Sequence, residues 1–305
     1  MNRDTNQPAP NRLWPAILRR SQKALESGAL QPIGTREKVI EQAGVHCVAR
    51  VVMNLALKDL NRRQRDSTGA APGQTDPFLP PDPDLFVADV SATHFCLLNK
   101  FSVIDHHVLI VTRRFEPQEV ALNRSDFEAL WTCMAEFDAL GFYNSGAIAG
   151  ASETHRHLQL VPLPLSRQGD AIPIAPLLGR PVQDGRLVSL PFAHAMTGLD
   201  PLLLRRPAGA AAASHEHYLS MLDRLGIAAA RTEGGTQPAP YNLLVSRNWM
   251  LMVPRSRERF TTISVNALGF AGSFFLRDER ELATLRRVGP MNVLRAVAVS
   301  GFPSR

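Results

Sequence analysis

The stretch that most constrains this chain is Tyr143–Pro162, YNSGAIAGASETHRHLQLVP. It sets His155, His157 and Gln159 at i, i+2 and i+4, directly after a turn rich in Gly, Ala and Ser. Leu158, Leu160 and Val161, running up to Pro162, favour a β-strand. Alternate side chains of a strand share one face. Two imidazoles and one amide then stand side by side, while Leu158 and Leu160 turn to the opposite, buried side. Gly146 and Gly150 let backbone N–H groups come close to an anion, as in phosphate-cradling loops. The pattern predicts a phosphate gripped beside a nucleophilic imidazole.

Plainer readings compete with that one. An H-x-H pair on a strand also occurs as two half-exposed histidines or as two zinc ligands. No cysteine lies near the motif, and a closed zinc site would need ligands from elsewhere in the chain. The Asn-Ser-Gly start, the Gly-Ala-Ser turn and the glutamine all favour the nucleophile.

Composition narrows the class. The 305 residues allow one large domain or two small ones. With 45% hydrophobic and 20% charged residues, the chain reads as an ordinary globular protein. It has no apolar run of the roughly 18 residues a membrane helix requires. The polar start MNRDTNQPAPNR lacks the apolar core of a secretory signal. Cys47, Cys96 and Cys133 are scattered and predict buried free thiols in a reducing cytoplasm. Lys and Arg number 34 against 28 Asp and Glu, a net charge of +6 that suits polyphosphate ligands. The arginines are spread out, with no basic tract interleaved with aromatics, which argues against a nucleic-acid partner.

Periodicity and turn signals organise the rest. Residues 1–12 read as a loose tail. Trp14–Ser27 reads as a helix closed by Gly28. Gly44–Leu57 reads as a strand, and the Pro-, Gly- and Asp-rich Asp66–Asp84 as an extended linker. Leu85–Val90, His94–Asn99 and His107–Thr112 follow as strands. Of the histidines there, His94 and His107 are expected to be structural, His107 through a backbone bond, and His106 exposed. Ser125 and Glu128 predict a capping box opening a helix. Its buried face is Phe127, Leu130, Trp131, Met134, Phe137 and Leu140, with Gly141 ending it.

Beyond Pro164 the pattern is less regular, with a short strand at Leu187–Leu190. A helix is predicted over Ser214–Leu225, where His215 and His217 point apart and into solvent. Tyr241–Ser246 and Trp249–Pro254 around Arg247–Asn248 read as a hairpin. Ser264–Leu276 carries a further strand signal. A helix over Asp278–Arg287 is broken by Gly289–Pro290 before a last short helix. On periodicity alone this is an antiparallel-rich α+β fold.

The segment NSGAIAGASETHRHLQLVPLPL resembles the active-site segment of the ATP adenylyltransferases, or diadenosine tetraphosphate phosphorylases, of the histidine-triad superfamily. Three collinear stretches agree: DPFLPPDPDLFVADVSATHFCLLNKFSVIDHHVLIVTRRFEPQ, YNLLVSRNWMLMVPRSRE and NALGFAGSFFLR. Together they cover about residues 40–300. The resemblance implies a histidine-triad-like α+β fold, rich in antiparallel sheet, with two related lobes flanked by helices. After the tail, residues 13–165 would form the lobe carrying H-x-H-x-Q, and residues 166–305 a C-terminal lobe.

It also implies roles. His157, the middle residue of the motif, would be the nucleophile. His155 would donate to phosphate oxygens or the leaving group, and Gln159 would donate its amide to a phosphate oxygen. Gly150, Ala151 and Ser152 would cradle non-bridging oxygens. Asn144 and Ser145 would bind nucleotide, and Asn99 would hold the ribose. Lys100 beside it and Lys58 are candidate phosphate ligands; Asn99–Lys100 also reads as a solvated turn, and ALKDLNRR as a helical or exposed basic segment. The implied reaction turns diadenosine tetraphosphate and inorganic phosphate into ATP and ADP through an adenylyl-histidine, reversibly. A divalent cation, Mg²⁺, would shield the polyphosphate, with no protein metal site.

This sequence departs from the family pattern at Arg156, where lysine is usual, and at Gln74–Thr75, where a lysine often stands. Arg156 is expected to point away from the histidine face. Two enzymes and one non-enzyme compete. A hexose-1-phosphate uridylyltransferase has Pro and Gly at positions that are Arg156 and Leu158 here. A dinucleoside polyphosphate hydrolase carries a third histidine in place of Gln159. A non-catalytic nucleotide- or zinc-binding module would bind without turnover.

Overall fold

The computed structural model describes residues 12–42, 44–53, 76–179, 182–183, 186–187, 189–200, 202, 206–227 and 239–301. In chain order the strands are β1 (Thr35–Gln42), β2 (Val45–Val52), β3 (Phe86–Asp89), β4 (His94–Leu98) and β5 (Val108–Thr112). They continue with β6 (Ala139–Asn144), β7 (His157–Pro162), β8 (Val182–Gln183), β9 (Arg186–Leu187) and β10 (Ala195–Gly198). The last are β11 (Tyr241–Val245), β12 (Trp249–Pro254), β13 (Arg259–Phe260), β14 (Ile263–Ser264) and β15 (Ser273–Leu276). Eight of them form the main sheet in the order β10-β12-β11-β6-β7-β5-β4-β3, antiparallel throughout. The two hairpins read from the sequence, β4–β5 and β11–β12, are therefore joined edge to edge through β6 and β7.

The sheet buries both faces. On one side, Leu158 and Leu160 join Cys96, Leu98, Val108 and Ile110 under three helices, Leu13–Ser27, Arg124–Met134 and Pro207–Arg224. On the other side, Leu140, Phe142, Val161, Leu244 and Leu251 pack against a smaller sheet, β1-β2-β15, and the C-terminal helices. A third, small cluster of Phe78, Phe95, Leu97, Leu109 and Val111 stands apart from these. Each fully buried aliphatic side chain contributes roughly 1.5–3 kcal/mol. All three cysteines are free and buried, and burial pushes Cys47 and Cys96 up to about 12. Among the described residues no helix is long and apolar enough to cross a membrane.

Several local expectations are corrected. The helix after residue 123 stops at Met134, and Leu140 and Gly141 lie in β6. Leu140 and Phe142 satisfy a two-residue period as well as a helical one. Gly141 is small because a Cβ there would lie 2.9 Å from Leu130 Cδ1, not because it caps a helix. The cap is Asn123, not Ser125. Its Oδ1 accepts from Ser125 N–H (2.8 Å) and Asp126 N–H (3.2 Å), and Asp126 Oδ2 accepts from Asn123 N–H (2.7 Å).

β1, with its charged sequence TREKVIEQ, was hidden because it is a half-exposed edge strand. The helix predicted from Ser214 begins at Pro207, whose missing N–H suits a first helical turn. His215 is half-buried against Tyr218, and His217 is also half-buried. His106 is half-buried too, its ring edge-on to Trp14 and hydrogen-bonded to Ser21 Oγ (3.1 Å).

The cap assignment has a direct test. Asn123→Ala should lower the unfolding free energy by about 1 kcal/mol. Ser125→Ala should move it by less than about 0.5 kcal/mol. Urea titration of the two variants measures both.

Candidate active site

The histidine motif enters β7 through an elbow. After β6 the backbone turns at Gly146 (φ 81°), makes a short 3-10 turn at Ala147–Ala149, and turns again at Gly150 (φ 89°). A Cβ on Gly150 would sit 2.9 Å from Asn266 Cβ and 3.0 Å from the Val265 carbonyl, so only glycine fits. The phosphate-cradle expectation fails for two amides here. Gly150 N–H donates to Ala147 O (2.9 Å) and Ala151 N–H to Gly146 O (3.1 Å), so both are spent closing the turn. Ser152 is exposed at its end.

Beyond the elbow, His157 faces Val111 across the ladder and Gln159 faces Leu109. Both lie on the face of the small Phe78 cluster, opposite Leu158 and Leu160. The Phe78 ring meets those of His155 and His157 edge-on, with centroids 5.7 and 5.2 Å apart. His157 is buried, and its Nδ1–H donates to the carbonyl of His155 at 2.8 Å. A carbonyl only accepts, so the proton is on Nδ1 and the lone pair is on Nε2. Burial is the main cause that lowers this imidazole to about 4; His155 lowers it further, and the His155 carbonyl opposes both. At neutral pH the ring is an uncharged base with its lone pair on Nε2.

Gln118, fully buried, fixes the start of this strand. Its Oε1 accepts from His157 N–H (2.9 Å), and its Nε2 donates to Asn144 O (2.9 Å) and His157 O (3.3 Å). Tyr143 Oη–H donates to the Gln118 carbonyl from behind.

Gln159 is oriented by a relay. Asn99 Nδ2–H donates to His107 Nδ1 (3.1 Å), and His107 Nε2–H donates to Gln159 Oε1 (3.0 Å). The amide oxygen is thereby occupied, which leaves the NH₂ end of Gln159 to serve a ligand. Burial lowers His107 to about 4 and keeps it neutral, as the relay requires. His107 is thus structural, as expected, but through side chains and not through a ring-to-backbone bond.

His155 is fully buried and held at both nitrogens. Nδ1 lies 2.7 Å from Asp76 Oδ2 and Nε2 lies 2.9 Å from the Thr112 carbonyl. Thr112 Oγ1 lies 2.8 Å from the same nitrogen and donates its own hydrogen to Arg114 O. His155 therefore orients rather than reaches out.

The remaining expected residues fall in different places. Asn144 and Ser145 are buried behind the elbow. Asn144 Oδ1 accepts from Asn242 Nδ2–H (2.8 Å) and Ala267 N–H (2.9 Å), so it braces the fold instead of facing a nucleotide. Asn99 is committed to His107 and to the Phe101 amide (3.3 Å). Lys100 lays its ammonium over the Phe101 ring, 5.6 Å from the centroid. Lys58 lies outside the described residues, as do Gln74 and Thr75. Arg156 points away from the histidine face, buried between Glu116 (2.5 Å) and Asp126 (3.3 Å). His94 donates to the same Asp126 (3.0 Å) and is structural.

The Ap4A phosphorylase N-terminal domain model matches residues 3–180, and the ATP adenylyltransferase C-terminal domain model matches residues 188–300. The chain belongs to the Ap4A phosphorylase family. It is 27% identical over 289 residues to Diadenosine 5',5'''-P1,P4-tetraphosphate phosphorylase 2 of Saccharomyces cerevisiae, covering 82% of each. It is 25% identical over 270 residues to Protein APA1 of the same yeast, covering 79% of this chain and 80% of that one. The crystal structure of yeast Ap4A phosphorylase Apa2 shares the fold with a TM-score of 0.76 at 22% identity, over 97% of both chains. Its complex with Ap4A gives 0.75 at 22% identity, over 95% of this chain and 98% of that one.

Within this Ap4A phosphorylase fold, Asp76, Phe78 and Gln118 are site residues that spacing did not reveal. Their hydrogen bonds and ring contacts join segments tens of residues apart. Two predictions follow from the buried imidazoles. His107→Leu should free the Gln159 amide and lower kcat/KM about tenfold, the worth of one oriented hydrogen bond. Steady-state kinetics and unchanged far-UV circular dichroism would show it. His107 and His157 titrate near 6.5 in the unfolded chain but at about 4 when folded. The unfolded chain then binds more protons between those values. Stability should be full above pH 6.5 and fall as pH drops toward 4. Urea midpoints at pH 7 and pH 5 test the slope.

Proposed function

We propose that this protein is a nucleotidyltransferase that phosphorolyses diadenosine tetraphosphate to ATP and ADP, reversibly, through an adenylyl-His157 intermediate. The observation that carries the reading is the His157 tautomer, with Nδ1–H on the His155 carbonyl and the lone pair on Nε2. Membership of the Ap4A phosphorylase family supplies the substrate class.

In the first step Nε2 of His157 attacks the α-phosphorus of one adenylate. The N–P bond forms as the P–O bond to the other three phosphates breaks, and ATP leaves. The ring becomes cationic, and its Nδ1–H bond to the His155 carbonyl stabilises that charge. An oxygen of inorganic phosphate then attacks the same phosphorus, the N–P bond breaks, and ADP leaves with His157 neutral again. Gln159, its oxygen held by His107, presents N–H to a non-bridging phosphate oxygen. We assign His155 to alignment of the strand and Lys58 to the distal phosphates.

Mg²⁺ would be carried by the substrate, on the polyphosphate, where it shields the charge. We read residues 13–165 as the lobe that supplies the nucleophile and residues 166–305 as the lobe that braces the elbow. The three free thiols support a reducing, cytoplasmic setting.

The test is incubation with diadenosine tetraphosphate, with and without inorganic phosphate, followed by separation of nucleotides. Phosphate-dependent ATP plus ADP, abolished by His157→Ala, is expected. Products formed equally well without phosphate would identify a hydrolase instead.

A further inference from the structure

Phe115 is the largest apolar side chain left open beside the site. The residue is 55% exposed, against the usual burial of aromatic rings. The segment around it is nonetheless pinned. Thr112 Oγ1–H donates to Arg114 O (2.8 Å), Arg156 N–H to Glu116 O (2.7 Å), and Gln118 N–H to Thr154 O (2.8 Å), while Pro117 bridges His155. The exposed ring is therefore presented by a fixed backbone.

Its position relative to the chemistry is defined by rings in contact. Phe115 meets the His155 ring edge-on, with centroids 5.5 Å apart. His155 precedes His157 by two residues, about 7 Å along an extended chain. On the far side of His157 stand Gln159 and its His107–Asn99 relay. The histidine face thus runs from an amide-lined end to an end marked by an exposed aromatic ring. Arg114, exposed and adjacent in the chain, adds a cation to the second end, and Ser152 and Thr154 add exposed hydroxyls.

We propose that Phe115 is the stacking platform for the purine of the leaving nucleotide, with Arg114 beside it for the polyphosphate. The inference rests on the phosphorolysis reading and names the residue that would make a dinucleotide a better ligand than a mononucleotide. A flat heterocycle gains by covering an open aromatic face, and an adjacent guanidinium suits phosphate oxygens. No bond changes at this subsite; it acts through affinity alone.

The experiment compares two ligands that share the adenosine tetraphosphate portion and differ in the second nucleoside. Dissociation constants of diadenosine tetraphosphate and adenosine 5'-tetraphosphate are measured calorimetrically in the His157→Ala protein, where turnover is blocked. Adding Phe115→Ala should shrink the preference for the dinucleotide by about tenfold, the worth of one base–aromatic stack, and Phe115→Trp should retain it. A loss of equal size for both ligands would mean that Phe115 only supports His155 and would overturn the proposal. So would an unaltered preference, or the absence of any preference before Phe115 is changed. Failure of both ligands to bind the parent protein would remove the phosphorolysis reading, and the subsite with it.

Discussion

The hydrogen bond from His157 Nδ1 to the carbonyl two residues earlier makes demands that spread outward through the fold. A carbonyl inside a sheet is normally taken by the neighbouring strand. The ladder of β7 begins at His157, so the His155 carbonyl falls just outside it and is open to the ring. The backbone there is held by other means: the Pro117–His155 bridge, the Arg156 N–H bond to Glu116, and the Gln118 side chain on His157 N–H. His194 offers a contrast within the same molecule. Its Nδ1–H also reaches a carbonyl two residues back, that of Phe192 (2.8 Å), but its Nε2 accepts from Leu187 N–H (2.7 Å). The tautomer alone does not make a nucleophile. Nε2 must also be left for a ligand, and among the described residues no hydrogen-bond donor occupies it on His157.

Burial supplies the second requirement. An exposed imidazole with its ordinary value of 6.5 is partly protonated near neutrality. In the folded chain His107 and His157 are both held down to about 4, mainly by desolvation. For His157 this secures the lone pair. For His107 it secures the pattern in which Nδ1 accepts from Asn99 while Nε2 donates to Gln159. A protonated His107 would have no acceptor for Asn99 Nδ2–H and would break the relay at that link, although its Nε2–H would still donate to Gln159. The same low-dielectric setting thus keeps both rings uncharged, which leaves a lone pair on His157 Nε2 and a donor on His107 Nε2 for Gln159.

Much of this was legible in the sequence where neighbours in the chain decide the outcome. The i, i+2, i+4 spacing placed His157 and Gln159 on one face of β7 with Leu158 and Leu160 on the other. The hairpins at His94–Thr112 and Tyr241–Pro254 followed from strand-forming runs around turn residues. Local pattern misled where two explanations of one residue coincide. At Gly150 the local pattern points to an opening for phosphate, whereas the missing Cβ serves the approach of Asn266, and the N–H closes the turn. Leu140 fitted a helical face and a strand face equally, and the sheet decided. Asp76 on His155, a separation of 79 residues, and Gln118 on His157, a separation of 39, are contacts that no spacing rule encodes.

The elbow also explains why the second half of the chain matters to a site whose histidines all come from the first. Asn242, from β11, donates to Asn144 Oδ1 and to Ala149 O, both at 2.8 Å. Arg255, buried just after β12, donates to Asn242 Oδ1 (2.6 Å) and Ala149 O (3.2 Å). Burial lowers this arginine to about 10, with Glu258 opposing the shift, so it stays charged at neutral pH. Asn266 fills the space that a Cβ on Gly150 would need, and Ala267 N–H caps Asn144. Four groups from residues 242–267 therefore converge on residues 144–150, the elbow that delivers the chain into the His155–His157 segment. Truncating either half would leave buried donors or acceptors unpaired at that elbow, each costing about 1–3 kcal/mol. On this account the geometry of His157 belongs to the whole chain, although its side chain belongs to one strand.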